Sequence, residues 1–233
     1  EMLHMKTYID LLIPRGGSDL IKRVAEESTM PSITGGIGVC HTYVDESADL
    51  NKAVEIAFNA KVQRPSVCNA LDSLLVHSEV AKDYLPIIAK RWSEAGVEIH
   101  ADKRSLSILG PENKLNLIAA TDQDWGTEFL SLTAAVKVVD SLEEAISHID
   151  TYGSGHSEAI VTENQDTANR FLDAVDAAAV FANTSTRFND GAELGLGAEV
   201  AISTDKMHAR GPMGIKELTS YKWIVRGSGQ TRP

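Results

Sequence analysis

The chain has 233 residues, with 22 basic and 33 acidic side chains and a net charge of −11. So acidic a chain repels a phosphate backbone, which argues against general nucleic-acid binding. The longest apolar runs, such as IDLLI and AAAVFA, fall far short of the roughly 18 residues a membrane helix needs. Apolar residues make up 43%, enough for a sizeable core, and the opening EMLHMKTYID lacks a signal-peptide pattern. Two cysteines do not make a disulfide scaffold and point to a reducing compartment.

Short apolar runs alternate with amphipathic stretches, the pattern of an α/β fold. Ile9–Ile13 reads as a buried strand ending at Pro14, and residues 18–27 as a helix with Leu20, Ile21 and Val24 on one side. Ile33–Val44 is strand-like but interrupted by Gly35, Gly36 and Gly38. A helix starts at Leu50 on the face Leu50, Ala53, Val54, Ala57 and Phe58, with Ser47 or Asp49 as its cap. Leu74–Val76 reads as a strand, 79–95 as the longest helix and Gly96 as its stop. Val97–His100 and Leu115–Ala119 follow as strands. Ser141 and Glu144 form a capping box ahead of Leu142, Ala145, Ile146 and Ile149. Ala159–Val161 is a strand, 164–175 a helix and Ala178–Phe181 a further strand. From Asn183 to Gly214 the chain is rich in glycine and polar residues with little periodicity, the mark of a long functional loop.

Cys68, in QRPSVCNALDSLLVH, is the residue most suggestive of chemistry. A helical turn over 69–72 would aim free N–H groups at the sulfur, and Arg64 would add positive charge; both favour thiolate. The same position also suits a small buried hydrophobe. Cys40, in an apolar run, reads as core. His41 beside it faces the other side of a strand, so the two make no dyad. None of the seven histidines has metal-ligand spacing, so no metal is expected. Arg15, Arg187 and Arg210 lie among glycines and suit capture of carboxylate or phosphate, or else surface ion pairs.

Longer motifs are more specific. IDLLIPRGG, ITGGIGVCHTYVDESAD, AKVQRPSVCNALDSLLVH, EFLSLTAAVKVVDSLEEAISHI, GSGHSEAIVTEN and STRFNDGAELGLGAEVAISTDKMHARGPMG occur in that order. With them the chain resembles the gamma-glutamyl phosphate reductase family, the proline-biosynthesis branch of the aldehyde dehydrogenase superfamily. The resemblance implies an aldehyde-dehydrogenase-like α/β fold that reduces L-glutamyl 5-phosphate to L-glutamate 5-semialdehyde with NADPH. It implies a cytoplasmic homo-oligomer whose partner is a small acyl phosphate rather than nucleic acid or membrane. Cys68 then matches the nucleophile, while Glu128 and Phe129 match the nicotinamide-ribose site and Gly35 and Gly36 the paired glycines beside it. Arg187, Arg210 and Asn69 fall on the substrate side.

By the same resemblance, residues 1–36 are the remnant of a nucleotide-binding domain. Residues 37–215 are the catalytic domain, and 216–233 a tail that returns to the cofactor domain or joins an oligomer contact. The family's chain is longer at its start, so these residues alone are expected to bind NADPH weakly. Hydrolytic members of the superfamily carry a glutamate before the paired glycines, whereas PSITGG has none. A reductase of an acyl phosphate needs no activated water, so the reductive direction is favoured over an aldehyde-oxidising dehydrogenase. A non-catalytic folded module is the other alternative.

Overall fold

The computed structural model describes residues 1–35, 37–110, 115–206 and 209–233. Its first helix, α1, spans Ser18–Glu27. The sheet then begins with β1 (Cys40–Val44), followed by α2 (Leu50–Val62), β2 (Leu71–His77), α3 (Ser78–Glu94), β3 (Glu98–Ala101), α4 (Lys103–Leu109) and β4 (Leu117–Ala119). It continues through β5 (Thr133–Val139), α5 (Leu142–Tyr152), β6 (Ser157–Val161), α6 (Gln165–Ala174) and β7 (Ala179–Ala182), and a short antiparallel pair, β8 (Ala201–Ser203) and β9 (Gly211–Met213), follows.

The seven strands β4-β3-β5-β2-β1-β6-β7 form one sheet, and every pairing in it is parallel. A parallel sheet is covered on both faces, so its strands are apolar throughout; β1, β2 and β6 are buried at every residue. Side chains alternate between the two faces. Val44, Leu74 and Val76 meet α2, α3 and α4, with Tyr84, Ile88 and Trp92 filling that layer. Tyr43, Leu75 and Ile160 meet α5 and α6, represented by Leu142, Ile149 and Phe171.

The helix starts follow local chemistry. Asp49 caps α2 by accepting from the N–H groups of Asn51 and Lys52. Ser141 caps α5 through the Glu144 N–H at 3.1 Å. The Glu144 carboxylate answers at Asp140 N–H (2.8 Å), one residue before the cap itself.

Three expectations are corrected. Ile9–Ile13 is not a strand: its one sheet-like contact is an isolated bridge from Leu12 to Ser32. The run Ile33–Val44 narrows to the strand Cys40–Val44, because Gly38 leaves the ladder to pack against the Cys68 carbonyl. The turn after Cys68 is not helical; Ala70 N–H bonds Val67 O at 3.0 Å and β2 starts at Leu71. The sequence reading passed over α4, β5, β8 and β9. Of these, β5 is the costliest miss, because it lies between β3 and β2 in the centre of the sheet. Within the segment 183–214, β8 and β9 carry Ile33 against Ala209 and Met213, together with Leu11 and Ile13. Residues 216–233 form no helix or strand and expose Tyr221, Trp223, Ile224 and Val225.

Leu74 is fully buried, whereas the Asp49 cap is exposed. Leu74→Ala is expected to lower unfolding free energy by about 2–5 kcal/mol and Asp49→Ala by about 1 kcal/mol. Urea denaturation of the two variants should preserve that order; equal losses would contradict the placement of the core.

Candidate active site

The turn from Gln63 to Ala70 joins α2 to β2 at the amino-terminal edge of the sheet. The loops entering β1, β5 and β6 reach the same edge, because parallel strands all begin on one side. They bring Gly38, Glu128 and Ser154 close to Cys68. A Cβ at Gly38 would lie 1.6 Å from the Cys68 carbonyl oxygen, so only glycine permits this approach. Gly38 N–H donates to Glu128 Oε1 at 2.8 Å, and Val39 N–H donates to Ser154 Oγ at 2.9 Å. Leu130, two residues past Glu128, has φ of 51°. A bulky residue in that left-handed region stores strain, which concentrates at functional sites.

Behind the turn lies a buried polar network. Cys40 Sγ donates to Cys68 O at 3.1 Å. Thr186 Oγ1 donates to Asn69 O at 2.8 Å, and Asn69 Nδ2 donates to Asn189 O at 3.0 Å. Asn189 Nδ2 in turn donates to Ser157 Oγ at 2.8 Å. Arg187 donates from Nε to Gln63 Oε1 at 2.8 Å and from Nη1 to Asn69 Oδ1. These bonds fix the backbone on both sides of Cys68.

Asp72, at the start of β2, ties the surrounding segments together. Its carboxylate accepts from Phe129 N–H at 3.1 Å and from Cys40 N–H at 3.4 Å, and it stands 3.7 Å from the buried Lys61 ammonium. Burial pushes Asp72 up to about 6 despite Lys61, and burial lowers Lys61 despite Asp72. The Phe129 ring lies 6.0 Å from Lys61 Nζ and 5.4 Å from the His100 ring, edge-on.

The electrostatics of Cys68 correct the expected thiolate. Burial first, then the carboxylates of Glu128 and Glu199, push its pKa up to about 11. Its own backbone N–H and Arg187 pull the other way without prevailing. The arginine that acts on the sulfur is therefore Arg187, while Arg64 is exposed. Cys40, fully buried, is also pushed well up from its ordinary value, first through burial and then through Glu158 and Asp72.

The structure thus brings Cys68, Asn69, Glu128, Phe129 and Arg187 to one edge. Arg210 is held elsewhere, by Asp176 Oδ1 at 2.7 Å. Gly35 packs against the β8 backbone, where a Cβ would lie 2.3 Å from Ile202 O, and Gly36 lies outside the described residues. Sequence proximity missed Asp72 and Asp205. Asp205 accepts from Thr34 N–H (2.7 Å) and Oγ1 (3.0 Å), so a carboxylate does stand at the residue before Gly35. Both its oxygens are engaged by Thr34. Among the described residues, no group of three His, Cys, Asp or Glu is arranged to hold a metal ion.

The chain is 60% identical over 232 residues to a gamma-glutamyl phosphate reductase of Dehalococcoides mccartyi, covering 100% of this chain and 55% of that protein. It is 53% identical over 231 residues to one from Shewanella pealeana, covering 99% of this chain and 55% of the relative. The chain belongs to the gamma-glutamyl phosphate reductase family. It spans about half the length of the curated relatives it matches. The crystal structure of the Thermotoga maritima gamma-glutamyl phosphate reductase superposes with a TM-score of 0.93 at 48% identity, over 100% of this chain and 55% of that one. An acetylating aldehyde dehydrogenase from Geobacillus thermoglucosidasius matches at 18% identity with a TM-score of 0.69, over 95% of this chain and 58% of that one; it shares the fold, which is aldehyde-dehydrogenase-like. No protein-family model matches the chain. Among the described residues, no helix is long and apolar enough to cross a membrane.

Two outcomes follow from this geometry. Iodoacetamide should modify Cys68 well before Cys40, at a rate that keeps climbing from pH 7 to pH 10, because a thiol with a pKa near 11 gains thiolate over that whole range. Peptide mass spectrometry reads both sites, and a plateau below pH 9 or earlier modification of Cys40 would contradict it. Asp72→Ala should cost about 3–5 kcal/mol of stability by leaving Lys61 buried and unpaired. Adding Lys61→Met should restore part of that loss, so strictly additive effects in the double variant would rule the coupling out.

Proposed function

We propose that the chain carries the catalytic domain of an NADPH-dependent gamma-glutamyl phosphate reductase acting in proline biosynthesis in the cytoplasm. One observation carries the reading. Cys68 is pinned by Gly38, Asn69 and Cys40 at an edge where Glu128 and Arg187 converge, in a chain 60% identical to a reductase of that name.

Cys68 attacks the γ-acyl carbon of L-glutamyl 5-phosphate, the C–O bond to phosphate breaks, and a thioester forms on the sulfur. The thiol proton has Glu199 as an acceptor, a carboxylate that acts on the Cys68 sulfur and whose own pKa burial raises. A nicotinamide cofactor, when bound, supplies the hydride that turns the thioester into L-glutamate 5-semialdehyde. Glu128 fits the ribose end of such a cofactor: Oε1 is held by Gly38 N–H, which leaves Oε2 to accept from a ligand hydroxyl. Phe129 beside it is anchored through its backbone to Asp72.

A thioester on this path must be kept from water. No carboxylate immediately precedes Gly35 in the sequence PSITGG, and Asp205, which reaches Thr34 in space, accepts from its N–H and Oγ1. That favours reduction over aldehyde oxidation. In this reading residues 37–215 are the catalytic domain and 1–36 belong to the nucleotide-binding side. The tail 216–233, with Tyr221, Trp223, Ile224 and Val225 exposed, supplies a surface for self-association.

Steady-state kinetics on the full-length protein containing this chain test the proposal, with NADPH oxidation followed against L-glutamyl 5-phosphate. Cys68→Ser should remove nearly all turnover, because a hydroxyl is far less nucleophilic at pH 7. Glu128→Ala should raise the KM for NADPH by roughly tenfold or more, the loss of charge-assisted hydrogen bonds worth about 1.5–3 kcal/mol each. Turnover retained in Cys68→Ser would overturn the assignment.

A further inference from the structure

His100 of β3 is partly buried and meets a carboxylate at each ring nitrogen. Nδ1 lies 2.8 Å from Asp124 Oδ1, and Nε2 lies 2.9 Å from Glu98 Oε1. An ionised carboxylate only accepts, so each nitrogen faces its partner as a donor, and only the imidazolium has two N–H groups. Burial works against that charge, but the bonds to Glu98 and Asp124 raise the His100 pKa above its ordinary value. Asp124 is held low: burial opposes its charge, and the bonds from Thr121 and His100 prevail. The register partners of His100, Ile118 of β4 and Ala135 of β5, are uncharged, and the Phe129 ring packs edge-on at 5.4 Å. Lys137 of β5 lies 6.0 Å from the ring of Trp125, next to Asp124. Lys61 and Asp72 reach Phe129 from α2 and β2.

We propose that His100, clamped as an imidazolium between Glu98 and Asp124, is a positioning residue for a nicotinamide cofactor, acting through the segment that carries Glu128 and Phe129. The inference rests on those two residues being cofactor contacts. A chain of bonds transmits the clamp. Asp124 Oδ2 accepts from Thr121 N–H at 2.6 Å and from Thr121 Oγ1 at 2.9 Å. Asp124 also opens the 3-10 turn Asp124–Gly126, across which Thr127 Oγ1 donates to Gln123 O at 2.6 Å. Glu128 and Phe129 come next in the chain. Asp72 holds Phe129 by its backbone N–H. His100 supplies the second anchor, through Asp124 ahead of Glu128 and through the Phe129 ring behind it. Loss of one imidazole proton leaves a lone pair facing a carboxylate oxygen, which repels it. The ring then keeps one of its two bonds and is free to turn, which loosens the Asp124 turn and the Phe129 packing. The clamp is therefore complete below the ordinary imidazole value of 6.5 and is lost as pH rises through the raised His100 value. Asp72, at about 6, titrates below that window.

The test is calorimetric titration of the full-length protein containing this chain at pH 6.5 and pH 9, with two probes. One is NADPH; the other is adenosine 2′,5′-bisphosphate, which lacks the nicotinamide riboside. The unaltered protein should bind NADPH about tenfold more weakly at pH 9 than at pH 6.5. His100→Gln should bind NADPH at both pH values about as weakly as the unaltered protein does at pH 9. Adenosine 2′,5′-bisphosphate should bind protein and variant alike at each pH, an outcome that general loosening of the fold would not give. Asp124→Asn keeps the side-chain shape and should act as His100→Gln does; it decides the question if His100→Gln does not melt cooperatively. NADPH affinity at pH 6.5 that both variants preserve, or equal loss of both probes, would overturn the proposal. The two readings fail differently. Absence of NADPH binding to the unaltered protein removes the cofactor reading of Glu128 and Phe129 and this inference with it, while tight binding that the variants preserve removes this inference alone.

Discussion

A single buried carboxylate holds the site together. Asp72 receives N–H groups from the start of β1 and from the loop after Glu128, and it pairs with Lys61 at the end of α2. Three segments far apart in sequence therefore converge on one side chain. A buried ion pair of this kind contributes little net stability, because desolvation offsets most of its attraction. Its effect is geometric: three backbone segments share one anchor, and the Cys68 turn is built upon it. The approach of Gly38 to the Cys68 carbonyl depends on β1 and β2 meeting in that register.

The same burial that organises the site keeps its sulfur protonated. Two carboxylates, Glu128 and Glu199, raise the Cys68 pKa and one arginine opposes them. A thiol held neutral is poorly reactive toward stray electrophiles and oxidants, since the thiolate is the nucleophile. Glu128, Glu199 and Arg187 thus act on the sulfur through charge, beside the larger effect of burial.

The site lies on the amino-terminal edge of a parallel sheet, whereas ligands of open α/β sheets usually bind outside the carboxyl ends of the strands. Here the helix N-termini at the carboxyl edge are capped internally, by Asp49 for α2 and Ser141 for α5. The candidate site is instead built from the loops entering β1, β2 and β5, with the segment after β7 bonded to the turn that holds Asn69.

Much of the fold was legible in the sequence, because helix faces announce themselves through spacing and several strands through short apolar runs. The apolar stripe from Leu50 and the caps at Asp49 and Ser141 are local properties, set by residues within one or two turns. Cys68, Glu128 and Arg187 were singled out through long motifs that match a family, and the fold brings them to one edge of the sheet. The central strand β5 was not, since TAAVKVV lacks alternation when both faces are buried. The state of the sulfur was not either. Arg64 is near Cys68 in sequence and exposed in space, while Glu199 and Arg187 are distant in sequence and act on it. Asp72 reads as one more residue of LDSLLVH until the sheet turns it toward Lys61, Cys40 and Phe129. The sequence determined which residues could do chemistry; only the tertiary structure decided their charge and their partners, because desolvation and Coulomb forces depend on distance through space and not along the chain.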